Sequence, residues 1–137
     1  MLKVQILQIG ETKDSNLRAL EQEFEKRLKP YFKLETLTVK NLESKLDSDA
    51  FVIALDERGK HFTSEEFAAQ IGTLKDRGTP IQFVIGDFAG LPPEIRDRAQ
   101  LTLALSKMTF THEMVRVFLK EQLYRACMIL AGKPYHK

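Results

Sequence analysis

The sequence predicts an α/β domain built on a mainly parallel sheet flanked by helices. Three observations predict it. Apolar runs of strand length alternate with stretches of helical periodicity along the whole chain. Several of those runs are apolar without a break, as expected of strands covered on both faces. No linker, repeat or low-complexity tract interrupts the 137 residues, so the chain reads as a single domain over 1–137.

The segment KVQILQIG reads as a buried first strand ending at Gly10. The polar stretch ETKDSN follows, with Asp14, Ser15 or Asn16 as the cap of the next helix. Leu17, Leu20, Phe24 and Leu28 recur at helical spacing, and Pro30 stops the run. LETLTV alternates as a second strand, and AFVIALD is a continuous third, with ERGKHF as the loop after it. TSEE has the form of a helix cap with acidic first-turn residues, opening a helix that runs to about Gly78. IQFVIG is a fourth buried strand. Pro93 suits the first turn of a short helix. LTLALS is a fifth strand, and a long helix from about residue 112 closes the chain.

Composition narrows the function classes. Charged residues are 29%, hydrophobic ones 43%, and the formal net charge is +2. Positive charge for an RNA must therefore be local, or the RNA must be read by shape. No apolar run reaches the roughly 20 residues that span a bilayer, and the N-terminus does not have the form of a signal peptide. Cys127 is the single cysteine, so no intrachain disulfide forms; it falls near an apolar stripe and reads as core. Three histidines without carboxylate spacing make no metal site. The expectation is a cytoplasmic protein.

In a parallel α/β sheet, ligands bind outside the C-terminal ends of the strands. That directs attention to the loops after Leu55, Ile85 and Leu105. IGDFAGL places Gly86 and Gly90 where close backbone approach is allowed, which a tight turn alone would also explain. LDERGK carries Asp56, Glu57, Arg58 and Lys60, a mixed cluster that is as often solvated surface as site. SKMTFTH alternates small, polar and apolar residues and suits a flat apolar ligand held by backbone hydrogen bonds. The first strand lacks G-x-G-x-x-G, and the chain has no Walker A lysine loop and no G-x-S-x-G around Ser106.

On a helical wheel, Val115, Phe118, Leu119, Leu123, Ala126 and Leu130 form one apolar stripe of the last helix. Met114, Val117, Tyr124 and Met128 form a second. Glu113, Arg116 and Lys120 run along one seam and Arg125 along the other, with Glu121 one turn before Arg125 as its i,i+4 partner. Two stripes mean burial on two sides. The reading preferred over a central core helix is that the second stripe packs on another copy, with the seam residues at the interface edge. The tail GKPYHK adds an aromatic and a group titrating near neutrality, Tyr135 and His136, at a place where chains normally fray.

LDERGK, the FVIGDFAGL segment, LSKMTFTHEMVRVFLKEQLYRA and the ending PYHK, in this order and spacing, resemble the bacterial ribosomal RNA large subunit methyltransferase H family. The resemblance covers essentially the whole chain. It implies the SPOUT fold with a deep C-terminal trefoil knot, a feature on which periodicity is silent. It implies a homodimer that binds S-adenosylmethionine and methylates N3 of a pseudouridine in helix 69 of 23S rRNA within assembled ribosomes, without metal or membrane. The implied cofactor site is Leu55, Gly86, Asp87, Leu105, Ser106, Lys107, Met108, Thr109 and Phe110. The implied catalytic set is Arg125, Tyr135, His136 and Lys137, with the tail of one copy meeting Arg125 near the cofactor of the other. In that reading Arg125 stabilises charge on a uracil carbonyl, Tyr135 stacks on the base and His136 is the candidate base. One departure stands out: the family has two adjacent glycines where this chain has Gly86 and Asp87. The alternatives are a ribosome-associated factor that kept the fold without the chemistry, and a SPOUT methyltransferase acting on tRNA.

Overall fold

The first strand, β1 (Leu2–Ile9), ends at a polar loop whose last residue is Asp14. The Asp14 carboxylate accepts from the N–H groups of Asn16 and Leu17, satisfying orphan donors at the start of α1 (Ser15–Leu28). In the computed structural model, which describes residues 1–135, this unit continues as β2 (Phe32–Val39), a 3-10 turn at Glu43–Lys45, and β3 (Phe51–His61). Thr63 and Glu66 form a reciprocal capping box that opens α2 (Ser64–Arg77). There follow β4 (Ile81–Ile85), α3 (Pro93–Arg98) with proline in its first turn, β5 (Leu101–Ala104) and α4 (His112–Leu130). The strands form one sheet in the order β2-β1-β4-β3-β5, and every pairing is parallel.

The unbroken apolar strands are explained by cover on both faces. Val4, Ile6, Ile53, Ile81, Phe83 and Leu103 share one cluster with residues of α1, α2 and α4. Leu7, Val52, Ala54 and Val84 face the other way, where Val39, Leu42, Leu91 and Ile95 close a smaller cluster. That thinner face has one buried polar fastener. Gln82 accepts from the Asp47 N–H at 2.9 Å and donates to Gln5 Oε1 and the Lys45 carbonyl, each at 2.9 Å. Replacing it with leucine strands those groups. Gln82→Leu is expected to cost about 1–3 kcal/mol in a urea titration, and no loss would mean that the 3-10 turn is held by its leucines alone.

The third strand does not end at Asp56 as its apolar run implies. Leu55 and Lys60 both pair with Leu103, so residues 56–59 bulge out and the strand resumes to His61. Gly59 permits this, because a Cβ there would lie 2.6 Å from the Thr102 carbonyl oxygen. The bulge projects DERG from the sheet just where a loop was expected.

The last helix corrects the sequence reading. α4 lies on the sheet between α1 and α2. From the second stripe, Val117 and Met128 are buried inside this chain, and Tyr124 sits against Phe24 of α1 with ring centroids 6.3 Å apart. The seam residues Arg116 and Lys120 are fully buried. Arg116 donates to Thr12 Oγ1 and the Ile9 carbonyl, and Lys120 pairs with Glu21 at 3.1 Å and Glu25 at 2.8 Å. Glu113 accepts from the N–H groups of Lys13 and Asp14, which lower its carboxyl pKa against a smaller opposing effect of burial. Val117, Tyr124 and Met128 of the second stripe, and this seam, are therefore covered within one chain, largely by α1 and its entry loop. The outward side instead carries Met114, Phe118, Gln122 and Arg125, all half-buried. Cys127 is core, and burial pushes its thiol up to about 11.

Candidate active site

β4, β3 and β5 are neighbours and run parallel, so their C-terminal ends open on the same side. The loops leaving those ends enclose a cleft of about 730 Å³. Leu55, Ile85, Leu91, Leu103, Leu105 and Val115 give it an apolar base, and the 56–58 bulge, the 86–90 turn and the 106–112 segment form its rim. An apolar base with main-chain and carboxylate groups around it suits a flat heterocycle carrying a polar, cationic tail.

Each rim segment is held by its own hydrogen bonds. In the turn after β4, the Gly90 N–H donates to the Asp87 carbonyl, and the Ala89 N–H donates to Asp87 Oδ1, both at 2.9 Å. The backbones at 86 and 90 approach so closely that a Cβ on Gly86 would lie 2.4 Å from the Gly90 carbonyl carbon. After β5, the Met108 N–H donates to Ser106 Oγ at 3.0 Å, and Thr111 caps α4 by accepting from the Met114 N–H. The Thr109 hydroxyl donates to Glu57, tying the third rim segment to the first. Beneath the bulge, Asp56 is bridged by Arg58 at 3.2 Å and Arg96 at 3.6 Å. Burial pushes its carboxyl up, but the hydrogen bonds from Arg58 and the two guanidinium charges outweigh that and hold it below the usual value. The mixed charges of LDERGK are thus not all solvated: the Asp56 side chain is 8% exposed.

Leu55, Gly86, Asp87, Leu105, Ser106, Met108, Thr109 and Phe110 are brought together as lining of this cleft. Lys107 is not; it is exposed, between two residues that do line it. Sequence reasoning reached His112 only as the last residue of SKMTFTH and did not single out Val115 for this place, although capping at Thr111 fixes both there. Arg125 and Tyr135 lie elsewhere. The Tyr135 hydroxyl donates to Glu121 Oε2 at 3.0 Å, and its ring meets Tyr124 edge-on at 4.9 Å. Burial, reinforced by Glu121, raises the Tyr135 pKa. The Arg125 guanidinium pairs with Glu121 at 3.0 Å, as its spacing predicts, and lies 5.0 Å from the Tyr135 ring centroid. Thirteen residues of helix separate Arg125 from His112, roughly 20 Å of axis. One chain therefore does not bring Arg125 or Tyr135 to its own cleft. His136 and Lys137 lie outside the described residues.

Among the described residues, no group of three or more His, Cys, Asp or Glu side chains is placed to hold a metal, and no helix is long and apolar enough to cross a membrane.

The fold is shared with solved structures of known enzymes. The model of a family described as "Predicted SPOUT methyltransferase" matches residues 2–136, and the chain belongs to that family of methyltransferases. Among curated relatives it is similar to the protein named ribosomal RNA large subunit methyltransferase H in Bifidobacterium adolescentis. The two are 40% identical over 159 residues, an alignment covering 99% of this chain and all of that one. The protein of the same name in Allorhizobium ampelinum is 53% identical over 97 residues, covering 70% of this chain and 61% of the relative. In fold the chain is similar to the SpoU methyltransferase AviRb from Streptomyces viridochromogenes, solved in complex with the cofactor AdoMet. That match has a TM-score of 0.60 at 12% identity, over 93% of this chain and 58% of the other.

Proposed function

We propose that this protein is a cytoplasmic, homodimeric methyltransferase that uses S-adenosylmethionine to methylate N3 of a pseudouridine in helix 69 of 23S rRNA, within assembled ribosomes. The observation that carries the proposal is the cleft itself. The sequence segments that resemble the ribosomal RNA large subunit methyltransferase H family supply all three of its rim loops. The cofactor fits the residues present: the apolar base suits the adenine ring, main-chain groups of the 86–90 and 105–110 segments suit its edge, and carboxylates on the rim suit the ammonium. Asp56, locked by two arginines, is a support for the bulge rather than a ligand.

When bound, S-adenosylmethionine supplies a methyl group already activated by its sulfonium. The apolar base excludes water, and the hydrogen-bonded rim fixes the direction of approach, so the protein's contribution is chiefly positioning. N3 of pseudouridine is a weak nucleophile while it keeps its proton. Arg125 of a second copy stabilises the negative charge that develops on the adjacent carbonyl as that proton leaves. Tyr135 stacks on the base. His136 receives the proton. The outward side of α4 supports the second copy, because Met114 and Phe118 lie between the cleft end of the helix and Arg125. Phe110 adjoins that side, its ring centroid 5.0 Å from that of Phe118. The small net charge supports a substrate already shaped by the ribosome, since phosphate attraction alone would be weak.

The test is transfer of labelled methyl from S-adenosylmethionine to ribosomes lacking the modification, with free 23S rRNA and tRNA as comparison substrates. Label in ribosomes, mapped to N3 of a helix 69 pseudouridine, is the expected result; label in tRNA, or none, overturns the assignment. A related prediction concerns the turn. Gly86→Ala drives a methyl group into Gly90 and is expected to cost about 1–3 kcal/mol of stability. It also opens the turn, so calorimetry should show affinity for S-adenosylmethionine lowered by roughly tenfold or more; unchanged affinity would remove this turn from the cofactor site.

A further inference from the structure

We infer that Asp87 sets the preference of the cleft for the cationic methyl donor over its demethylated product, S-adenosylhomocysteine. The inference rests on the cofactor reading above and adds a specificity-determining residue to it. Transfer breaks the S–CH3 bond and forms N3–CH3; the sulfonium keeps the electron pair and becomes a neutral thioether, while N3 loses its proton. Donor and product thus differ by one unit of positive charge and one methyl group. A site that holds both equally is inhibited as product accumulates, so an uncompensated negative charge in the cleft favours turnover.

The cleft lining carries three carboxylates: Asp56, Glu57 and Asp87. Asp56 is neutralised by Arg58 and Arg96. Glu57 is engaged by the Thr109 hydroxyl. Asp87 has no cation within ion-pair distance among the described residues. Its one side-chain hydrogen bond among them is the 2.9 Å contact from the Ala89 N–H to Oδ1. That bond fixes the carboxylate on the rim and leaves Oδ2 to meet a ligand. The turn itself does not need an acid at this position: Asp87 has negative φ, and the close approach is made by Gly86 and Gly90. An asparagine would accept the same Ala89 hydrogen bond, so the turn accounts for a polar side chain but not for its charge.

Asp87→Asn is the decisive variant, because it removes the charge and keeps the acceptor. Calorimetric titration of wild type and variant with S-adenosylmethionine and S-adenosylhomocysteine, at low and high salt, measures the ratio of the two affinities. The expected result is a fall in the donor-to-product ratio of about fivefold to tenfold at low salt, shrinking as salt is raised. Product affinity should fall less than donor affinity, because the product keeps the ammonium and lacks the sulfonium. Asp87→Gly, which also gives up the Ala89 contact, should lose the preference together with affinity for both ligands. An unchanged ratio in Asp87→Asn overturns the inference while leaving the cofactor reading intact, as does a larger change in Glu57→Gln. No binding of either ligand by the folded wild-type protein overturns the cofactor reading itself, and this inference with it.

Discussion

Replacing Lys120 with alanine is expected to destabilise the protein by about 3–5 kcal/mol, the range found when one partner is removed from a buried ion pair. The lysine side chain is 1% exposed and Glu21 6%, while Glu25 completes the group nearer to solvent. Truncation leaves the Glu21 carboxylate out of water, with a second carboxylate one helical turn away and no ammonium between them. Domains of this size typically have only about 5–15 kcal/mol of total stability, so the effect is a large part of the whole. Chemical denaturation of the single variant is compared with the double variant Lys120→Met/Glu21→Leu, which replaces both charges with apolar groups. The double variant should recover most of the loss, because the penalty belongs to the stranded charge and not to a missing bond. A loss below about 1 kcal/mol for Lys120→Ala would mean that water reaches the group and that it behaves as a surface pair.

That group also shows where sequence reading stops. The order of strands and helices is legible because the driving patterns are local. Two-sided burial gives unbroken apolar runs, and Asp14, Thr63 and Thr111 cap the helices that follow. The cleft is legible for a related reason: in a parallel sheet the strand-end loops must share one side, so LDERGK, IGDFAGL and SKMTFTH converge wherever their strands are neighbours. The fate of Arg116 and Lys120 is not legible. Their partners Thr12 and Glu21 lie 104 and 99 positions away, and a helical wheel cannot tell a cation facing water from one meeting a distant carboxylate. The same limit applies to Val117, Tyr124 and Met128 of the second stripe, which are covered within one chain rather than by another copy. The bulge at 56–59 is not legible either, because it is defined by registry with β5, information that no single strand contains.

If the proposed active site is built from two copies, a variant lacking Arg125 and a variant with a blocked cleft should restore each other. Arg125→Ala alone is expected to lower methyl transfer roughly 100-fold or more, in line with the loss of one group that stabilises developing charge. Its affinity for S-adenosylmethionine should hold, because the cofactor is assigned to the cleft loops and Arg125 to the carbonyl of the base. Ser106→Trp should be equally inactive, for the opposite reason: it fills the cleft and leaves the far end of α4 untouched. Unfolded and refolded together in equal amounts, the two chains form mixed dimers. In each mixed dimer one cleft is open and faces an intact Arg125, while the other lacks both. Random pairing then predicts about a quarter of wild-type activity from two parents that have almost none. Deleting Pro134–Lys137 in place of Arg125→Ala should give the same pattern, because the tail is assigned to the same side of the shared site. Recovery of activity in the mixture can come only from a site to which each copy contributes. Its absence, with mixed dimers demonstrated by mass spectrometry, would return Arg125 to the structural role it already has as the partner of Glu121 and Tyr135.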